Sequence, residues 1–285
     1  MKKLALPPIS FPDALVVTIS GIASVPTQNM HKSAFLDSVS IEAGYADRAR
    51  AATLYQLPRV SGSDDPAIHG ALRRSHLTNL YTQYFVPASK PGRRIYEAIK
   101  VTANGKCPLC GGIGHVRTLD HYLPKANFPL YSVLPINLVP CCRDCNSDKL
   151  NAFSVDREGQ TLHPYFDDSK FFDERWIHAR VQQSDPPVIE FFVEPPSNWP
   201  ADDRARAQAH FNDYRLKDKF SIEAAADLPE TIQTRRTTMS NNTPNEFSDY
   251  LAEKGQTETL PINNWRRVMF SALALDSWFC SHIFV

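Results

Sequence analysis

Cys107-Pro-Leu-Cys110, Leu119-Asp120-His121 and Asn137-Leu-Val-Pro-Cys-Cys142-Arg-Asp-Cys145-Asn146-Ser-Asp-Lys149 together form the stretch that decides the fold. Four of its cysteines make two Cys-x-x-Cys knuckles, Cys107/Cys110 and Cys142/Cys145, with 31 residues between them. A Cys-x-x-Cys turn aims two thiolates at one ion, and two such turns complete the tetrahedral cage that Zn²⁺ prefers. The metal then closes a long loop and supplies folding energy to a small subdomain. A disulfide pair and unpaired core thiols are the competing readings. The absence of a secretion signal disfavours the first, and the doubled spacing disfavours the second.

A four-thiolate zinc has no open position, so any chemistry must come from the residues between and after the knuckles. Asp120 and His121 lie in an apolar run, Val116 to Leu123, expected as a strand. Phosphodiester hydrolysis needs an activated water, a cation on the scissile phosphate and relief for the departing 3′ oxygen. His121, beside Asp120, is the candidate base, with an ordinary pKa near neutrality. Asp120 and Asn146 offer two hard oxygen ligands, which suits Mg²⁺ or Mn²⁺. Lys149 lies one helical turn beyond Asn146 and could grip a phosphate, as could Lys125 beside the Asp-His pair. Taken singly, each has a blander reading: a satisfied polar group, a cap or turn former, a solvated charge. Their joint, ordered occurrence favours a site.

This window, residues 101–155, resembles the HNH nucleases, whose signature is an Asp-His pair, a central Asn and a Cys-x-x-Cys-Asn/His-x-x-Lys ending. Those positions here are Asp120, His121, Asn137 and Cys142 to Lys149. The resemblance implies a ββα-metal fold, with a hairpin carrying Asp120-His121 and a helix carrying Asn146. It also implies that Asn137 holds the turn and helps to orient His121, and that cleavage leaves a 5′-phosphate and a 3′-hydroxyl. Around the core, the segment is similar to HNH effector nucleases of bacterial anti-phage systems (Septu-type and retron-linked). Some of those work beside an ATPase.

The chain has 285 residues, too many for the nuclease unit alone, and 42% apolar residues, enough for a real core. Its 22 prolines predict a loop-rich build. No apolar run is long enough to span a membrane, and Met1 to Ser10 lacks an extended apolar stretch, which points to a cytoplasmic protein. Cys141 and Cys280 then read as reduced, buried thiols. The net charge is zero, yet residues 1–155 hold 17 Lys/Arg against 10 Asp/Glu, and residues 156–285 hold 14 against 21. A basic front half favours a nucleic-acid substrate, and an acidic back half opposes it. Scatter between two solvated surfaces is the plain alternative.

Along the chain, residues 1–30 read as a strand or extended arm, and 33–56 as two helical pieces broken near Gly44. Ser63 or Asp64 is placed to cap a helix over His69 to Phe85, and Pro87 to Gly92 is a turn. Arg93 opens a short helix into the first knuckle. Arg73, Arg74, Lys90, Arg93 and Arg94 could line a phosphate track or simply solubilise helix faces. His163 reads as a packed residue rather than a second metal or base position. Trp176 to Val181 and Val188 to Val193 read as a hairpin. Helices follow from Asp202 and over Leu216 to Leu228, then a short one over Glu246 to Lys254. The last, over 263–285, has a wide apolar face for the core or for a partner.

The expected fold class is α+β: a ββα-metal HNH core with a four-cysteine zinc site, flanked by mostly helical segments, 1–100 and 156–285. The expected activity is metal-dependent DNA cleavage, with an ATPase, another defence subunit or a second copy as partner, and no membrane. A zinc-stabilised adaptor that binds nucleic acid or protein without cutting is the rival, as is an RNase.

Overall fold

The computed structural model describes residues 1–150 and 152–284, so Asn151 of the 101–155 window and Val285 of the terminal segment lie outside the described residues. Residues 1–10 carry no helix or strand, and Leu4 bonds the Pro164 carbonyl through its N–H; helices, not a strand, follow them. Ser10 caps α1 (Phe11–Ser20) by accepting from the Asp13 N–H, and Ser24 caps α2 (Val25–Ala34) through the Thr27 N–H. Pro12 and Pro26 sit in the first turns, where a missing N–H leaves no bond unmade. The β-branched run Val16 to Ile19 suggests a strand. The two caps and the helical spacing of Phe11, Ala14, Leu15, Thr18 and Ile19, all buried, override it.

One helix, α3 (Ser38–Arg50), runs straight through Gly44. A side chain there would meet open space, so this glycine lowers helix propensity by about 1 kcal/mol without breaking the helix. The segment after the polar loop forms a small hairpin, β1 (Ala67–His69) and β2 (Leu72–Arg73), before α4 (Arg74–Asn79). Neither Ser63 nor Asp64 caps α4. Arg73 is the cap residue, and Asp65, eight positions earlier, satisfies the first turn, its carboxylate accepting from the Ser75 N–H at 2.7 Å and the Ser75 hydroxyl at 2.7 Å. The helix then widens into a π-helical turn, Leu80–Phe85, and α5 (Arg93–Val101) follows as expected.

β3 (Thr118–His121) and β4 (Leu138–Cys141) pair antiparallel, with Asp120 opposite Val139 and His121 opposite Leu138. α6 (Arg143–Lys149) starts directly after Cys142 and packs on β3. Among the described residues the other strands also pair two by two.

Packing divides the chain into two units, one of residues 3–108 and 114–167, the other of residues 1–2, 109–113 and 168–285. The N-terminal helices share one unit with most of residues 101–155, while residues 109–113, Cys110 among them, fall in the other. The reason is local: α5 packs on both β3 and β4. Leu77, Leu80, Phe85, Ile99, Leu119 and Leu138 are among the buried residues of this unit.

The second unit begins its regular structure at α7 (Lys170–Asp173) and the expected hairpin, β5 (Ile177–Gln182) with β6 (Val188–Val193). Next come α8 (Ala201–Asp213), which has no side-chain cap, and α9 (Leu216–Arg236), which continues past the expected end through Pro229. α10 (Pro244–Gly255) is closed by a Thr243/Glu246 capping box. The terminal segment is two helices, α11 (Trp265–Leu275) and α12 (Ser277–Ser281), broken where Asp276 caps the second. Met269, Leu273 and Phe279 are buried, and α11 packs on α10 and β5. The apolar face thus serves mainly its own unit. No helix among the described residues is long and apolar enough to cross a membrane.

Candidate functional site

The sulfur atoms of Cys107, Cys110, Cys142 and Cys145 all lie within 4.8 Å of one another, and all four residues are buried. Zn–S bonds of about 2.3 Å place the thiolates of a tetrahedral site about 3.8 Å apart, which these positions can meet. Four soft sulfur donors and no oxygen donor fit a structural metal such as zinc. Local backbone shapes the cage. Cys142 is also the cap of α6, its sulfur accepting from the Cys145 N–H at 3.4 Å. Cys107 N–H bonds the Gly114 carbonyl at 2.9 Å, and Gly111 and Gly112 turn the intervening loop at φ +68° and +93°. In the second unit, His210 Nε2 donates to the Leu109 carbonyl at 2.9 Å and Asn264 to that of Gly111 at 3.3 Å. Neither residue stands out in the sequence, because each lies a hundred or more positions away from the loop it holds.

Asp120 and His121 end β3, and both are only 7% exposed. His121 Nε2 lies 2.9 Å from the Ser132 carbonyl. A carbonyl can only accept, so Nε2 carries the proton and Nδ1 holds the lone pair. Burial is the largest influence on this ring and pulls its pKa down to about 3, against the raising effect of the Ser132 bond. The imidazole is therefore neutral at physiological pH. Tyr81 stands edge-on to it, ring centres 4.4 Å apart. Lys125, half-buried, holds its ammonium 5.9 Å from the Tyr81 ring centre.

Lys149 is turned inward. Its ammonium sits 3.2 Å from Asp120 Oδ2 and donates to the His121 carbonyl at 2.6 Å. Burial raises the Asp120 carboxyl above its usual range, outweighing the attraction of Lys149. Asn146 is half-exposed on α6, and its side chain makes no hydrogen bond among the described residues.

Asn137 is wholly buried and fully used. Its amide oxygen accepts from Tyr45 Oη at 2.8 Å and Leu123 N–H at 2.8 Å, while its nitrogen donates to the carbonyls of Leu123 and Tyr131, each at 3.1 Å. It thereby pins both ends of the loop that carries Ser132. His163 is packed, as expected, against Tyr122 at 4.1 Å, with its Nε2 3.4 Å from Tyr45 Oη.

Most of the expected basic track is already committed. Arg73 donates to the Asp65 carbonyl, Arg74 to that of Gly62, Lys90 to that of Gly21 and Arg93 to that of Val86. Arg94 is exposed, and its guanidinium makes no hydrogen bond among the described residues.

No family model matches the chain, and no solved structure matches it. Across 287 aligned residues it is 33% identical to protein ea31 of Escherichia phage lambda, an alignment that covers 96% of this chain and 97% of that protein. Identity at that level over nearly the whole of both chains makes this protein a member of the family of phage lambda ea31.

Proposed function

We propose that the chain is a metal-dependent endonuclease of HNH type that hydrolyses DNA phosphodiester bonds. The observation that carries this reading is the tautomer of His121: with Nε2–H held by the Ser132 carbonyl, Nδ1 is left as a proton acceptor. In this reading β3, β4 and α6 are the ββα core. His121 takes a proton from the water that attacks phosphorus in line. The carboxylate of Asp120 and the amide oxygen of Asn146 are hard donors matched to Mg²⁺ or Mn²⁺. A cation bound there would withdraw charge from the scissile phosphate and relieve the departing 3′ oxygen. Asn137 keeps the Ser132 loop in place, and with it the tautomer. Lys125 is the phosphate contact, since Lys149 is spent on Asp120 and the His121 carbonyl. The products are a 5′-phosphate and a 3′-hydroxyl.

The test is plasmid cleavage with Mg²⁺ or Mn²⁺ by the native chain and by His121→Ala, with zinc content measured on both. Loss of cleavage with zinc retained supports the assignment; cutting at a near-native rate removes it. One observation favours the rival reading of a non-cutting, zinc-stabilised adaptor: Asp120 and His121 are both buried. That reading requires nucleic-acid binding without metal-stimulated cleavage, and the same assay on RNA separates an RNase. The anti-phage role and an ATPase partner belong to this proposal. Cells making the native chain beside its partner should plate phage less efficiently than cells making His121→Ala.

A further inference from the structure

A single hydrogen bond fixes one point of an imidazole. By itself, the Nε2···Ser132 contact would let the buried His121 ring rock about its Cβ–Cγ bond and carry Nδ1 away from a reacting water. Something else must hold the plane of the ring. The contact that can do this comes from outside residues 101–155. Tyr81 meets His121 edge-on, centroids 4.4 Å apart and planes at 67°, an arrangement that aromatic rings favour.

Tyr81 reaches that position because the chain departs from α-helical geometry. In the turn Leu80–Phe85 the Val86 N–H reaches five residues back to the Tyr81 carbonyl at 3.0 Å. Such π turns are rare, and they gather at functional sites. Gly92 supports the turn from behind. A Cβ there would fall 2.5 Å from the Tyr84 carbonyl oxygen and 2.8 Å from Phe85 Cα, so only glycine permits the approach. Tyr81 stacks on the wholly buried Phe85, ring centres 5.6 Å apart. Its hydroxyl points at the Leu119 carbonyl, two residues before His121, over a long 3.4 Å.

We infer that Tyr81 is a positioning residue for His121: its ring, set by the π turn and backed by Gly92, holds the imidazole plane so that Nδ1 stays aimed at the reacting water. The inference rests on the nuclease reading for its purpose, but the contact itself can be tested without it. Because the work is done by the ring and the hydroxyl bond is long, Phe should replace Tyr81 and an aliphatic residue should not.

The experiment compares the native zinc-loaded chain with Tyr81→Phe and Tyr81→Leu, using Mg²⁺-dependent cleavage of plasmid and NMR of the His121 side chain, assigned with His121→Ala. In Tyr81→Leu, kcat should fall by about 10²-fold, the cost typical of a misplaced reacting group, with KM little changed. The His121 Nε2–H resonance should also broaden and exchange faster with solvent as the ring comes loose, a change that removal of the Tyr81 ring current does not by itself produce. Tyr81→Phe should keep both the rate and the slow exchange. Tyr81→Met is the substitute should the Leu variant fail to fold. An aliphatic variant that keeps native kcat, or native exchange of the His121 Nε2–H, overturns the inference. If the native chain cuts neither DNA nor RNA, the nuclease reading has failed, and the resonances alone decide whether Tyr81 holds His121.

Discussion

The Lys149 ammonium joins the two halves of the Asp-His pair, lying 3.2 Å from the Asp120 carboxylate and bonded at 2.6 Å to the His121 carbonyl. Both partners in this ion pair are buried. Removing one charge strands the other in a poorly solvated site, a loss of about 3–5 kcal/mol. Lys149→Met should therefore destabilise the chain strongly in urea unfolding. Adding Asp120→Asn should restore much of the loss, because no unpaired charge then remains. A purely substrate-facing lysine would leave the unfolding midpoint where it was.

Asn137 makes four hydrogen bonds from a buried side chain. Asn137→Ala leaves several backbone groups of the Ser132 loop unpaired and should cost about 3 kcal/mol. Tyr45→Phe removes only one of the four and should cost about 1 kcal/mol. If calorimetry ranks the two the other way round, Asn137 is not the residue that holds this loop.

The cysteine cage should carry one tightly held zinc per chain. Because four thiolates on one ion tie together segments far apart in sequence, a strong chelator should lower the melting temperature, and Cys142→Ser should give poorly folded protein. Elemental analysis that finds no zinc in well-folded protein would dispose of the cage.

His121 and His210 are both held by burial at a pKa of about 3. In the unfolded chain such rings titrate near 6.5. Between those values the unfolded state binds more protons, so stability is complete above about pH 6.5 and falls as pH drops towards 3. Going from pH 7 to pH 5 should cost about 2 kcal/mol per ring. Asp120, whose carboxyl is raised, acts in the opposite sense nearer its own range. His210→Gln can still donate to the Leu109 carbonyl and should flatten the pH dependence; an unchanged slope would show that His210 does not contribute.

The knuckles, the Asp-His strand and the helix after Cys142 are legible in sequence because each rests on a short-range rule: thiol spacing, alternation, a cap. Where the reading failed, local signals disagreed. Val16 to Ile19 has strand composition, while Ser10 and Pro12 announce a helix, and the cap prevailed. Gly44 suggests a break in α3, although nothing near it requires a turn. The neighbours of the site were out of reach for a different reason. Tyr45 meets Asn137 across 92 positions, and no periodicity within one segment encodes such a pairing. The inward turn of Lys149 is equally silent, since a lysine on a short helix reads the same whether it faces water or a carboxylate.

A two-stranded sheet leaves its outer backbone groups without a ladder, and tyrosines from elsewhere in the unit complete β3 and β4. Tyr96 Oη accepts the Leu119 N–H at 3.2 Å, and Tyr165 Oη donates to the Leu138 carbonyl at 2.9 Å. Tyr45 and Tyr81 add their own bonds at Asn137 and Leu119. All four lie outside residues 101–155. The motif is accordingly not a portable cassette. Cut out and transplanted with its cysteines intact, it would keep every residue of its signature and lose the hydroxyls that finish its edges.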